Sequence, residues 1–360
     1  MIVQMQLQKL VIKDVRNLAD IQLDCHQNTN IIVGRNAAGK TAILESIYLL
    51  SRAASFRTPR LTDIIQHGRQ GFYVSASLQI NNIEHLADIK KSDHGTQLKF
   101  NGVKVSKRSE QAQNIPVMTY TAETNRLLYD MPRERRHWLD WSMFHVEPEY
   151  MDTWRTYHHA LRQRNALLRS DIKNDELYQP WEQVMARTAH WLTDARNKYL
   201  ARINKEAVGQ IKRMLGECTI ELSEKSGNSE DIRARLEQQR QRDRRIGHTR
   251  DGPHRHDVWF RLNGFPAGKT LSRGEGKQFL LYLIIAQVRE FVQNRKHYPV
   301  VLIDDLNAEL DREVCDNVFS MLIRETKQLF ITGTNDDFQL NKGSFKRFHV
   351  EHGKLLKLIE

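Results

Sequence analysis

Cysteine is scarce in this chain of 360 residues. Cys25, Cys218 and Cys315 stand far apart, and none belongs to a C-x-x-C pair. Neither a disulfide framework nor a structural zinc site is expected from so few, and a reducing compartment is. Long apolar runs are lacking as well. The longest, near residues 279–286, is short and interrupted by Tyr282, whereas a membrane-spanning helix needs ~18 such residues in a row. The first ten residues show no basic stretch leading into an apolar one, so no secretory signal is expected. No internal repeat, low-complexity tract or sustained heptad pattern occurs, which leaves out solenoids and long coiled coils. There is also no zinc-finger spacing, aromatic stacking motif or recognition-helix pattern, so a nucleic-acid partner would be held by its phosphates and not read at its base edges.

What is present is positive charge. Lys and Arg number 55 against 44 Asp and Glu, a net charge of +11, in a chain that is 40% hydrophobic and 28% charged. That is the composition of a soluble globular protein, and the surplus favours a polyanionic partner, nucleic acid or an anionic membrane surface, over the plain alternative of a solvated basic surface. The length suggests roughly two domains.

The patterning changes along the chain. Residues 30–33 and 73–80 read as strands, and residues 98–103 carry Asn101-Gly102, the signal of a tight hairpin. One helix interrupts them at residues 40–53, with Ile43, Ile47, Leu50 and Ala54 on one face. From about 134 to 217 the spacing is helical, with Trp154, Tyr157, Leu161, Asn165 and Leu168 in register, and Pro180 predicts a break into at least two helices. Residues 233–250 hold seven Arg against Glu237 and Asp243 and read as a solvated helix or loop. After Asp257 strands return, followed by a helix at 276–294 and strands at 300–303 and 329–332.

The most specific feature is Gly34-Arg35-Asn36-Ala37-Ala38-Gly39-Lys40-Thr41, a gapless G-x-x-x-x-G-K-[ST] between an apolar strand and a periodic helix. Such a P-loop turns backbone N–H groups and a helix N-terminus toward phosphate oxygens. Lys40 is then expected on the β- and γ-phosphates of ATP and Thr41 on Mg²⁺. A second carboxylate for the metal should end a neighbouring buried strand. Residues 300–303 supply four apolar residues followed by Asp304, the expected Mg²⁺ partner, and Asp305, placed to polarise the attacking water. Because Lys40 and Asp304 must meet at one phosphate group, the ATPase sheet is expected to draw on both ends of the chain. The expected division is 1–120 and 251–360 for the two parts of the ATPase lobe, with 121–250 as an inserted, mainly helical lobe.

Leu271-Ser272-Arg273-Gly274-Glu275 opens the helix before Asp304, and Ala308-Glu309-Leu310-Asp311 follows it. On its own the first segment is an ordinary helix cap. Beside a P-loop it resembles the signature segment of ABC-type ATPases, and the second resembles their D-loop. Further segments match one family in order: residues 55–58, 132–140, 161–165 and 252–257. With these the chain resembles, over essentially its full length, the RecF family of bacterial DNA replication and repair proteins, which is related to SMC-type ATPases.

The resemblance implies an α/β, ABC-ATPase-like head, a P-loop sheet with an antiparallel β-subdomain, carrying the inserted helical lobe. It implies an ATP-dependent homodimer in which Ser272 and Gly274 meet the γ-phosphate held by the other copy, with Arg16 on the adenine side. It also implies binding to gapped DNA and single-/double-strand junctions, cooperation with RecO and RecR in loading recombinase, and a cytoplasmic, nucleoid-associated setting with no membrane contact. Arg57, Arg60, Arg133, Arg135 and Arg136, with Arg162 and Arg164, are the candidate DNA contacts. His254 and His256 are expected in a structural turn, with Arg255 or Asp257 near the nucleotide or at a contact between lobes.

Departures from the family pattern set further expectations. Ala37 suits the loop only where φ is negative. Glu275 replaces Gln and sets a carboxylate beside the partner's triphosphate, weakening dimerisation or making it pH-sensitive. Asp305 is shorter than the usual Glu, and Thr332-Gly333-Thr334 brings no switch histidine, so slow, timer-like hydrolysis is expected. A nucleotide-binding subunit of an ABC-type transporter and a small-molecule kinase are the competing readings. The first would not need the helical insertion, and the second leaves the signature and D-loop unexplained.

Overall fold

The computed structural model describes residues 5–129, 132–170, 174–223, 232–334 and 344–356. The chain divides into two compact units, one made of residues 1–125 with 271–360 and the other of residues 126–270.

The first unit is built on a six-stranded sheet in the order Lys354–Leu356, Phe345–Glu351, Thr29–Val33, Gln328–Gly333, Val300–Ile303, Val117–Tyr120. All neighbours are parallel except the first pair. Continuous apolar runs such as Val300–Ile303 are what a parallel strand buried on both faces requires, and every residue of that strand is buried. A second, antiparallel sheet runs Leu18–Asp24, Met5–Val15, Phe72–Ile80, Ile83–Ser92, Gly95–Phe100, Val103–Lys104. Its last turn is the Asn101-Gly102 hairpin, with φ of 51° and 78° at the two positions, the left-handed pair of a type I′ turn. The helix Lys40–Arg52 shares one core with both sheets: Ile43 and Ile47 join Ile12 and Val74 of the antiparallel sheet and Leu302 and Phe330 of the parallel one.

The second unit holds the helices Pro132–Val146, Tyr150–Leu168, Gln179–Leu215 and Ile232–Ile246, with a small sheet Phe265–Pro266, Asp257–Leu262, Cys218–Ser223. Pro180 lies in the first turn of Gln179–Leu215, where its missing N–H costs nothing. Two expectations are corrected. The unit ends at Thr270 and not at 250, because Asp257–Leu262 pairs antiparallel with Cys218–Ser223 inside it. The Arg-rich segment is not wholly solvated, since Arg240 and Asp243 are buried. Arg164, with no exposed surface, donates to Glu182 (3.0 Å), Asp243 (2.8 Å), Thr249 (2.7 Å) and the Leu236 carbonyl (2.9 Å). Arg240 donates to the same Glu182 at 2.6 Å. Most donors and acceptors of this buried ion network are matched, as such a network requires, the exception being Asp243 Oδ1, which has no hydrogen-bond partner among the described residues.

Candidate nucleotide site

Thr29–Val33, Gln328–Gly333 and Val300–Ile303 are neighbours that run the same way, so their carboxyl ends bring the P-loop, Thr334 and Asp304 to one edge of the sheet, where ligands of open α/β sheets bind. The loop is fixed by contacts that exclude side chains. A Cβ on Gly34 would lie 2.2 Å from the Val350 carbonyl oxygen, and one on Gly39, at φ 120°, would lie 2.7 Å from Leu18 Cδ2. Asn17 Nδ2 donates to the Ala37 carbonyl at 3.0 Å, and the Gly353 N–H donates to the Ala38 carbonyl at 2.9 Å. Ala37 itself takes φ 63°, the left-handed conformation that the alanine was expected to avoid. A cleft of about 550 Å³ borders residues 35–38 together with Thr334, Glu351 and His352.

Inside the loop, Lys40 is buried and its ammonium donates to the carbonyls of Gly34 (2.7 Å) and Arg35 (3.1 Å). The Thr41 hydroxyl lies 3.0 Å from each carboxylate oxygen of Asp304. Thr332 Oγ1 donates to Asp304 at 2.7 Å and accepts the Asp305 N–H at 2.8 Å. Burial pushes the Asp304 carboxyl up from its ordinary range, partly offset by the hydrogen bonds from Thr332 and Thr41. A hydroxyl and one desolvated carboxylate suit Mg²⁺, which keeps most of its shell as water and phosphate oxygens. Among the described residues no group of three or more His, Cys, Asp or Glu gathers for a tighter metal. Asp305 is exposed, with φ 54°.

The signature and D-loop segments lie against each other. Ser272 caps the helix Arg273–Arg295, and a Cβ on Gly274 would come 2.6 Å from the Glu309 carbonyl oxygen. Glu275 folds back onto the cap, its Oε2 accepting from the Ser272 N–H (2.8 Å) and hydroxyl (2.7 Å), a capping box. These bonds lower the Glu275 carboxyl below its ordinary range. Lys277, two residues on, is 3% exposed and donates to the carbonyls of Asp305 and Ala308, each at 2.6 Å. Asn17, Lys277, Thr332 and Gly353 belong to no recognisable motif in the sequence. The one available signal was Lys277, a lysine entering an apolar helix.

The arginines singled out by the sequence differ in their surroundings. Arg16 spends three hydrogen bonds on the fully buried Glu45 (2.9 and 3.0 Å) and the Asp63 carbonyl (2.8 Å), while its neighbour Asn17 touches the loop. Ser55 also donates to Glu45. Arg57 is exposed, and its charge is among those that lower Asp304, so it belongs to the nucleotide end of this unit. Arg135 is bidentate on Asp257 (2.8 and 3.0 Å), and Arg136 donates to the His256 carbonyl at 2.9 Å. Like the buried Arg164, these two guanidinium groups are held by partners inside the second unit. Arg60, Arg133 and Arg162 remain exposed. His254 sits between the Tyr157 hydroxyl (2.7 Å) and the Thr249 carbonyl (3.1 Å). Burial lowers it to about 3 and His256 to about 4, values of structural imidazoles that stay neutral.

A family model described as the RecF/RecN/SMC N terminal domain matches residues 6–354. A DNA replication and repair protein RecF from Shewanella oneidensis is 32% identical over 357 residues, covering 98% of this chain and 99% of the relative. One from Photorhabdus laumondii is 32% identical over 358 residues, covering 98% of each. Among solved structures, the recombination mediator protein RecF with ATP in the RecFOR pathway superposes with a TM-score of 0.86 at 24% identity, covering 99% of this chain and 98% of that one. The Smc head domain of Pyrococcus furiosus bound to the C-terminal domain of ScpA gives 0.59 at 15%, covering 98% and 96%. At these identities the two structures speak for the fold, an ABC-ATPase-like head.

Proposed function

The chain belongs to the RecF family of DNA replication and repair proteins, and on that premise we propose that it is an ATP-driven switch that closes as a homodimer on gapped DNA. The observation that carries this reading is the approach of Thr41 to Asp304 at the mouth of the P-loop, 263 positions apart in sequence. In the proposed state Lys40 turns from the carbonyls of its own loop to the β- and γ-phosphates of ATP. The backbone N–H groups of residues 34–41, Asn36 and Ala38 included, surround those phosphates. Thr41 and Asp304 would hold Mg²⁺, which supplies charge neutralisation of the phosphates. Asp305 polarises the attacking water. Ser272 and Gly274 meet the γ-phosphate in the second copy, so two nucleotides join two heads, and loss of the γ-phosphate removes the shared anion.

Hydrolysis is slow, since Asp305 is a short carboxylate on an exposed turn, and it times release from DNA. Exposed basic side chains such as Arg60 and Arg133 contact the DNA backbone. RecO and RecR are the proposed partners in loading recombinase at single-/double-strand junctions, in the cytoplasm with the nucleoid. A transporter subunit finds no support among the relatives described, whose names are those of replication and repair proteins. Analytical ultracentrifugation with and without ATP and Mg²⁺, repeated with gapped DNA, tests the reading. A monomer that becomes a dimer only with ATP, and binds the DNA only then, is expected. An unchanged monomer at saturating ATP and Mg²⁺ would sink it.

A further inference from the structure

Lys277 is the feature of this region that phosphate chemistry leaves unexplained. It is a buried ammonium whose nitrogen is given to two main-chain oxygens, those of Asp305 and Ala308, and stands 5.7 Å from the centre of the Tyr120 ring. Among the described residues no carboxylate lies within ion-pairing distance of it. Desolvation pushes its pKa down while the charges of Asp305 and Glu309 oppose the shift. Burying a charge for the sake of two carbonyls is costly, so the turn it holds must need holding.

That turn is strained. Asp305 and Glu309 both have left-handed backbones, φ 54° and 66°, which non-glycine residues keep only where their surroundings over-determine them. The Asp305 peptide is tied at both ends, its N–H to Thr332 Oγ1 at 2.8 Å and its oxygen to Lys277 at 2.6 Å. The Ala308 N–H closes back on the Asp305 oxygen at 3.3 Å. Lys277 is one turn into the helix that Ser272 caps, and the start of that helix runs so close to Glu309 that a Cβ on Gly274 would come 2.6 Å from the Glu309 carbonyl oxygen.

We propose that Lys277 is a positioning residue, the link through which the seating of the signature helix sets the direction of the Asp305 carboxylate. It acts through backbone oxygens and touches neither nucleotide nor metal. The inference rests on the function proposed above. Since the same helix would bear on the nucleotide of the second copy, Lys277 makes hydrolysis at one site depend on occupancy at the other while leaving nucleotide affinity alone.

The test compares wild type with Lys277→Met, which keeps length and removes charge, and Lys277→Arg, which keeps charge and donors. Two readouts on the full chain apply: affinity for a non-hydrolysable ATP analogue with Mg²⁺, and the single-turnover rate of ATP hydrolysis. Lys277→Met is expected to lose tenfold or more in rate with affinity within threefold of wild type, and Lys277→Arg to recover most of the rate. Independently of activity, backbone hydrogen exchange without nucleotide should quicken at residues 305–308 in Lys277→Met and stay unchanged in the strand Val300–Ile303. Wild-type rate in Lys277→Met, equal losses of rate and affinity, or unchanged exchange at 305–308 each overturns the proposal. Should Lys277→Met not fold, Lys277→Arg decides: a rate within threefold of wild type supports the link, and a folded variant tenfold slower overturns it. A wild-type chain that neither binds the analogue nor hydrolyses ATP overturns this inference together with the function it rests on, whereas an active wild type indifferent to Lys277 overturns the inference alone.

Discussion

The hydroxyl of Thr41 lies 3.0 Å from both carboxylate oxygens of Asp304, a contact made by two residues from opposite parts of the chain. It separates the roles of two neighbours in a way binding can measure. Lys40→Met removes the charge-assisted contacts to phosphate, worth about 3 kcal/mol or roughly 100-fold in affinity. The loss is expected with or without Mg²⁺, and dimerisation and ATP-dependent DNA binding should go with it. Asp304→Asn should lose only the part of the affinity that Mg²⁺ adds. Isothermal titration with ATP in EDTA and in Mg²⁺ distinguishes the two, and an Asp304→Asn protein still tightened by Mg²⁺ would remove Asp304 from the metal site.

The second unit should be sensitive to acid. His254 is lowered to about 3 by burial and satisfied as a neutral ring between Tyr157 and Thr249. Between its ordinary value near 6.5 and its lowered one, the unfolded chain binds a proton that the folded chain refuses. Stability is therefore full above about pH 6.5 and falls as the pH drops below it. From pH 6.5 to 4 the loss from this one group is roughly 3 kcal/mol, and His256, lowered to about 4, adds to it. Urea melts of wild type and His254→Gln across that range check the point, with a shallower acid limb expected in the variant.

Some of this architecture is legible in one dimension and some is not. The P-loop, and the strand Val300–Ile303 ahead of Asp304, are contiguous, so an apolar run followed by a polar group is visible directly. The arginines are not. Arg135 shows itself as an ion-pair partner only through Asp257, 122 positions away, and Arg164 only through Glu182 and Asp243, 18 and 79 positions away. Nothing local marks a guanidinium as paired. The boundary at residue 270 escaped for the same reason, since the strand Asp257–Leu262 declares its unit only by pairing with Cys218–Ser223.

That distinction has consequences for DNA binding. Arg135→Ala strands Asp257, which is 5% exposed, and breaking a buried pair costs about 3–5 kcal/mol. Lower melting temperature is expected, with DNA affinity per folded molecule unchanged. Arg60→Ala combined with Arg133→Ala should leave melting unaltered and weaken DNA binding at low salt, reducing the slope of log affinity against log salt by about 2. A stable Arg135→Ala protein that has lost DNA would reverse the assignment.

Ala37 and Ala38 are adjacent alanines with opposite requirements. Ala37 sits at φ 63°, costing about 1–2 kcal/mol for a residue with a Cβ, whereas the entropy glycine adds to the unfolded chain costs about 0.5–1 kcal/mol. Ala37→Gly should therefore be neutral or stabilise by up to ~1 kcal/mol. Ala38, which has no such backbone, should lose about that much on the same change. Paired denaturant melts without nucleotide give the answer, and a destabilised Ala37→Gly would mean that the loop does not hold its left-handed turn in solution.

Glu275 occupies the donors a second copy's nucleotide would require. Its carboxylate takes the Ser272 N–H and hydroxyl, and those bonds favour its ionised form, so in the proposed dimer closure would have to displace a negative charge and then accept it beside a triphosphate. Glu275→Gln preserves a side chain able to accept from the cap and removes the charge. ATP-dependent dimerisation is expected to tighten about tenfold, equivalent to ~1.4 kcal/mol, with nucleotide affinity of the monomer unchanged. Ser272→Arg should do the reverse, abolishing the dimer while the monomer still binds ATP. Sedimentation equilibrium across a protein concentration series with ATP and Mg²⁺ reads both variants on one scale. A Ser272→Arg protein that dimerises normally would place the dimer contact away from this helix, and the charge on Glu275 would then have no bearing on closure.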